Sequence, residues 1–324
     1  MNVRRVLGET GTQSGQFRYP RGMDTFELNG RTILAVVDKT ARIQLLDLDT
    51  GDTIGSLRTP KSDLGMPTGL TVAPFPGEPG TPALWVANTH EHQVIIYRLP
   101  FDHDGSPTEP DFAFGSYGYG PGEFIYPTDI AVQLDADGSP ERVFISEYGG
   151  NDRVCEFRVE QGDGEPKLVF ERQIGFSGVA MDAPEDDPAS LARPQSILVW
   201  NEAELIVADA GRGRIVRFDL VSGQPIAWTD GSTDMNSQPI EPMRYPYGMA
   251  MVEDGVVAVS EFGGSCIRLL DLDSSQTIRI IGSPGRLEGQ IATPWGATVV
   301  DNELVILDSG NDRLQIVDWN GVEG

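Results

Sequence analysis

A unit of about 40 to 60 residues recurs six times along this chain, and no other feature constrains its folding so much, because repeated modules bury their apolar faces only by stacking on one another. Each unit opens on a proline next to small or polar residues: Tyr19-Pro20-Arg21-Gly22, Met66-Pro67-Thr68-Gly69, Tyr126-Pro127-Thr128-Asp129, Arg193-Pro194-Gln195-Ser196, Tyr245-Pro246-Tyr247-Gly248 and Thr293-Pro294-Trp295-Gly296. Proline has no N–H for a sheet interior, so it belongs where a strand begins.

A β-branched run follows in every unit and ends on an acid or amide, at Asp38, Asn88, Glu147, Asp209, Glu261 and Asp308. After a short turn comes an alternating segment, at 42–47, 93–97, 153–157, 214–219, 266–271 and 313–318. Its period of two predicts one packed face and one wet face. A fourth strand with an apolar-Gly ending closes five units, as at 112–115, 172–175 and 279–282. The sixth lacks one, and Arg4-Arg5-Val6-Leu7-Gly8 carries the missing pattern. Pairing of the first strand with 314–317 would close the ring and cover an edge otherwise free to recruit other chains.

The fold expected is therefore all-β: a six-bladed β-propeller of four-stranded antiparallel blades, the last closed by the N-terminal strand. It is read as one domain over 1–324, with blades near 20–58, 67–115, 127–175, 194–230, 246–282 and 294–320 plus 3–8. Segments such as Gly118-x-Gly120-Pro121-Gly122-Glu123-Phe124-x-x-Pro127 and Asp308-Ser309-Gly310-Asn311-Asp312-Arg313-Leu314-Gln315 resemble the NHL repeat, and the resemblance covers essentially the whole chain. It implies the propeller and says little of function, since similar proteins include peptide- and RNA-binding propellers, sensor modules, and lactonases and lyases on related folds.

Charge narrows the partners. With 24 Lys and Arg against 49 Asp and Glu, a formal net charge of −25 speaks against nucleic acid and against acidic membrane surfaces. No window of about 18 apolar residues exists to span a bilayer, and a soluble monomer is expected. Residues 1–8 lack the apolar stretch of a secretory signal, so the compartment is not legible; removal of a leader ahead of Met1 would place the chain outside the cytoplasm. Cys155 and Cys266 fall in different units and are expected to be free, buried thiols.

In a propeller of this connectivity the aligned positions form rings at one mouth of the central channel. Arg21, Thr68, Thr128, Gln195, Tyr247 and Trp295 make a ring of varied chemistry. Asp38, Asn88, Glu147, Asp209, Glu261 and Asp308 make an acidic one. Carboxylates suit Ca²⁺ or Mg²⁺, which makes the acidic ring the candidate metal site. The opposing reading is local pairing with the arginine that opens the next strand, in Asp38/Arg42, Glu147/Arg153, Asp209/Arg214 and Asp308/Arg313, with Asn88/Gln93 as an uncharged equivalent. Glu261 stands apart because Cys266 takes its arginine's place; a raised pKa, a partner such as Arg268 or Arg21, or a bound metal would each account for it.

The varied ring, together with Glu261, is the candidate ligand site, with Tyr247 and Trp295 either gripping a ligand or plugging the channel. Long loops at 176–193 and 231–244 are expected to form its lip, whereas 59–66 is short. The three histidines His90, His92 and His103 all lie in the second unit, so neither a Ser/His/Asp triad nor a histidine metal site drawn from several blades is expected. His90-x-His92 is read as a solvated turn, and Asp102-His103-Asp104-Gly105 and Asp135-Ala136-Asp137-Gly138 as hairpin turns. The function expected is non-enzymatic: a binding or scaffold propeller for a protein, peptide or small polar ligand, without a cofactor. The alternative is a metal-dependent hydrolase, lactonase or lyase using the mouth carboxylates, with Ca²⁺ or Mg²⁺ bound.

Overall fold

The alternating segments are realised as six sheets set in a ring, in a computed structural model that describes all residues except 62, 64, 65, 103, 161–165, 179–182, 185 and 320–324. Blade 1 runs from its inner strand outward as Pro20–Leu28, Arg31–Asp38, Arg42–Asp47 and Thr53–Arg58; blade 2 as Leu70–Phe75, Glu78–Asn88, Gln93–Arg98 and Phe112–Phe114. Blade 3 is Tyr126–Leu134, Pro140–Tyr148, Arg153–Glu160 and Lys167–Ile174; blade 4 is Pro194–Trp200, Glu204–Asp209, Arg214–Asp219 and Pro225–Thr229. Blade 5 is Pro246–Glu253, Val256–Glu261, Cys266–Asp271 and Gln276–Ile281; blade 6 is Ala297–Val300, Glu303–Asp308 and Arg313–Asp318, completed on the outside by Val3–Leu7. The N-terminal strand runs antiparallel to its partner, with Leu7 opposite Leu314 and Val3 opposite Val317. Helical structure among the described residues is limited to three-residue 3-10 turns at Thr89–Glu91, Ala210–Arg212 and Ser309–Asn311.

Six apolar clusters hold the ring, one in each interface between neighbouring blades. That between blades 6 and 1 contains Leu7, Phe17, Leu34, Leu46, Val305 and Leu314; that between blades 3 and 4 contains Phe144, Val154, Val207 and Phe218. Because each blade is packed on both faces, the expected wet face of the third strand is absent in blade 1, where every residue of Arg42–Asp47 is buried. Alternation survives only on outer strands, as in Pro225–Thr229. Cys155 and Cys266 are free and buried as expected, and burial pushes both thiols up to about 12.

Three local features depart from the sequence reading or from simple backbone sterics. Asp104–Pro107 is not a hairpin turn: it pairs in parallel with Thr53–Arg58 as a fifth strand on blade 1, so part of blade 2 covers its neighbour's outer edge. Gly55 permits this, since a Cβ there would lie 2.0 Å from the Phe101 carbonyl oxygen. The residue before the strand-opening proline, sterically steered toward extended backbone, is left-handed in four blades, at Tyr19 (φ 51°), Arg193 (φ 56°), Tyr245 (φ 51°) and Thr293 (φ 41°). Three of these amides donate to the preceding blade: Tyr19 to Asp312 Oδ1 at 2.6 Å, Arg193 to Asp152 Oδ1 at 2.9 Å and Thr293 to Ser265 Oγ at 3.2 Å. The inter-blade bonds offset a conformation that costs of order 1–3 kcal/mol. Finally, His90 and His92 are part-buried rather than solvated. Their rings pack on Tyr126, and His92 Nδ1 contacts the Ile125 carbonyl, because the turn wedges against blade 3. His103 lies outside the described residues, whereas Asp135 forms the expected turn, its Oδ1 accepting from the amides of Asp137 and Ser139 at 2.9 Å.

Candidate functional site

The acidic ring is a set of loop clamps. In five blades the carboxylate accepts a backbone N–H from the loop entering its own blade, from Arg18 to Asp38, Ile125 to Glu147, Ala192 to Asp209, Arg244 to Glu261 and Ala292 to Asp308. Each also binds an arginine of the third strand, at 2.9 Å for Asp38/Arg42, 2.8 Å for Glu147/Arg153, 2.9 Å for Asp209/Arg214 and 2.7 Å for Asp308/Arg313. The arginine then donates to carbonyls of the same loop, as Arg214 does to Asp187 and Ser190, and Arg313 to Leu287 and Gln290. Charge-assisted bonds of this kind are the strong ones, and here they order long loops that have few strands of their own. The described part of 176–193 is pinned in this way.

Glu261 is no exception in function, only in register. Its Oε1 accepts from Arg268 Nε at 2.6 Å, and Arg268 reaches on to the Gly231 and Glu241 carbonyls of loop 231–244. Arg268 occupies the position held by Gln44 in blade 1 and Gln315 in blade 6, whose amides likewise bind loop carbonyls, at Gln16 and Gln290. The arginine has moved two residues along the strand, and the Cys266 thiol is left against Glu261. Glu261 is therefore an acid paired with Arg268, away from the described channel lining. Blade 2 is the real departure: Asn88 and Gln93 stand opposite each other, but the buried Asn88 Oδ1 has no hydrogen-bond partner among the described residues. Among those residues the acids of the ring form no metal-binding group with one another. Each faces its own loop instead.

The varied ring does converge. All six of its residues line a central cavity of about 480 Å³ formed by the inner strands. They are not equivalent, however. The Thr68 hydroxyl is bonded to Thr89 Oγ1 at 2.8 Å and the Thr128 carbonyl at 3.0 Å, and Thr128 donates to the Pro194 carbonyl at 3.0 Å. These two staple neighbouring inner strands. Gly69 serves the same contact, as a Cβ there would lie 2.3 Å from the Thr128 carbonyl oxygen.

Arg21, Gln195, Tyr247 and Trp295 remain at the mouth. Tyr247 meets Trp295 edge-on at 5.0 Å and stacks on Phe262 at 4.5 Å; Tyr19 also meets Trp295 edge-on, at 5.8 Å. The Arg21 guanidinium lies over the Trp295 ring, 5.0 Å from its centroid. Burial lowers the Arg21 pKa, an effect partly offset by Tyr19, Tyr148 and Tyr247. Arg193 sits similarly over Tyr148 at 5.0 Å. Tyr148 and Phe262 were missed in the sequence although they share an alignment column, the position directly after the acidic ring.

Below the mouth, two carboxylates line the channel. Asp24 accepts from the amides of Thr25 and Val72, and Asp129 from that of Ile197, tying blade 1 to blade 2 and blade 3 to blade 4. No ion pair engages either among the described residues, and burial pushes both up to about 6. Since the unfolded value is near 4, the folded state takes up these protons first, so stability rises as pH falls through 6 toward 4. Melting temperature is expected to be higher at pH 5.5 than at 7.5, with a smaller gain in Asp24→Asn/Asp129→Asn. An equal gain in that variant would refute the assignment.

No family model matches the chain and no curated protein is similar to it. Solved structures share the fold. A Bacteroides thetaiotaomicron protein of unknown function is 16% identical with a TM-score of 0.64, covering 97% of this chain and 75% of its own. Staphylococcus aureus virginiamycin B lyase is 15% identical with a TM-score of 0.54, covering 98% and 97%. The WD40 propeller domain of Doa1 is 11% identical with a TM-score of 0.57, covering 99% and 97%. The chain is a six-bladed β-propeller whose last blade is completed by its own first strand.

Proposed function

We propose that this propeller, of the NHL type by its repeats, is a non-enzymatic binding module that presents the mouth of its channel to a protein, peptide or small polar ligand. One contrast carries the reading. The chemistry that recurs from blade to blade, its acids and arginines, is consumed by the loops, while the one ring that varies holds an arginine, an amide and two aromatics at a cavity of ligand size. The rival is metal-dependent hydrolysis or lyase chemistry at the acidic ring. One neighbour in fold is a lyase, but at that identity the likeness extends to fold alone.

Thermal shift separates the two. Addition of Ca²⁺, Mg²⁺, Mn²⁺ or Zn²⁺ is expected to move the melting temperature by less than about 1 °C, because carboxylates already paired with arginine gain little from a cation. A shift of several degrees that Asp209→Asn or Glu261→Gln removes would overturn the binding reading in favour of the metal enzyme.

A further inference from the structure

The mouth carries unspent hydrogen-bond donors of one kind. Arg21 Nε and Gln195 Nε2 are both buried, both belong to residues lining the cavity, and neither has a hydrogen-bond partner among the described residues. Gln195 is only 7% exposed, so its amide is not answered by bulk water. Each such donor forfeits about 1–3 kcal/mol of solvation; others occur in this chain, Arg42 Nε and Arg58 Nε among them, but outside the described cavity lining. Arg21 compounds the cost, as it has no ion-pair partner among the described residues of a chain with net charge −25. The two residues come from blades 1 and 4, which face one another across a ring of six. Between them on one side stand Tyr247 and Trp295.

We infer that the mouth binds an organic carboxylate carrying a second acceptor and an apolar or aromatic body, the pattern of an N-acylated amino acid or of a peptide's C-terminal residue. The carboxylate meets Arg21, whose planar fork suits it; the acyl carbonyl accepts from Gln195 Nε2; the body lies against Tyr247 and Trp295. Asp24 and Asp129, further along the inner strands, set the limit on the other side. Among the described residues they are the only other charged ones of the lining, and they repel a second anionic group from the channel. A monocarboxylate is thereby favoured over a dicarboxylate or a phosphate ester. This inference rests on the binding reading given above and names its ligand chemistry.

Calorimetric titration tests it with four probes: N-acetyl-L-phenylalanine, its amide, an N-acetylated tetrapeptide with uncharged side chains and a free C-terminal phenylalanine carboxylate, and that peptide's C-terminal amide. Each acid is expected to bind at least about tenfold more tightly than its amide, as loss of a charge-assisted buried pair requires. Arg21→Gln should erase the preference. Gln195→Glu, which keeps the size and adds a repelling charge, should abolish acid binding. Melting curves close to wild type for both variants establish that they fold; among the described residues neither variant removes a hydrogen bond, and Arg21→Gln gives up its contact with the Trp295 ring. Tighter binding of the peptide acid than of the single residue identifies a chain terminus as the occupant; equal or weaker binding identifies a free organic acid. Equal affinity for acid and amide, or no binding of either acid, overturns the inference. The broader binding reading fails on a different result, a ligand of any chemistry whose affinity survives both Trp295→Ala and Arg21→Ala.

Discussion

Arg268→Leu is expected to destabilise the protein by about 3–5 kcal/mol, the cost of leaving a buried charge without its partner. Glu261 and Arg268 are each only 2% exposed at the side chain, so solvent cannot replace either. The leucine variant also removes the donors to the Gly231 and Glu241 carbonyls and to Thr277 Oγ1, and loop 231–244 should loosen with them. Glu261→Gln should show a loss of similar size at pH 7 without added metal. Its amide nitrogen would face either the Arg244 N–H or the Arg268 guanidinium, and two donors cannot bond. Because both single changes break the same pair, Glu261→Gln/Arg268→Leu should be more stable than the sum of the two predicts. Denaturant titration measures all three. A Glu261→Gln variant as stable as wild type would mean that the carboxylate is not held structurally, and would return this position to the list of functional candidates.

Removal of residues 1–8 should be as damaging, with an added change in behaviour. The first strand contributes Leu7, 7% exposed, to the cluster between blades 6 and 1, together with Phe17 and Leu314. Burying such a side chain is worth about 1.5–3 kcal/mol, before the ladder to Arg313–Asp318 is counted. Arg5 adds bonds to the carbonyls of Leu48 and Asp49, at 2.7 and 2.6 Å, which clasp the last blade to the first. Without this strand the edge of Arg313–Asp318 is bare, and bare edges pair with other chains. The truncated protein should melt several degrees lower and associate with concentration, as light scattering would show. Arg4→Ala should do little, since Arg4 is 55% exposed at the side chain and its bonds to Glu303 and Asp318 are solvent-screened. The corresponding C-terminal trim, 322–324, removes only residues outside the described ones. Full-length melting in the truncated chain would disprove closure by the N-terminus.

Much of this architecture was written in local patterns. Strand period, the proline that opens each unit, and the spacing from Asp38 to Arg42 or Asp308 to Arg313 all act over a few residues, so an alignment of the chain with itself exposes them. The missing strand of the sixth unit was likewise legible, because an unpaired edge and an orphan strand imply each other. Two kinds of fact were not settled there. For Glu261 the sequence offered Arg268, Arg21 or a metal side by side; the structure chooses Arg268, which shares a strand face with Cys266 and reaches the carboxylate at 2.6 Å. The site depended on ring closure. Arg21, Gln195, Tyr247 and Trp295 are separated by roughly 50 to 170 residues in sequence, and nothing local distinguishes them from Thr68 and Thr128, whose hydroxyls are spent on neighbouring strands. The repeat alone fixes that six inner strands meet; only their packing decides which side chains at the meeting point keep a hydrogen bond to give, because that depends on desolvation by residues from every other blade.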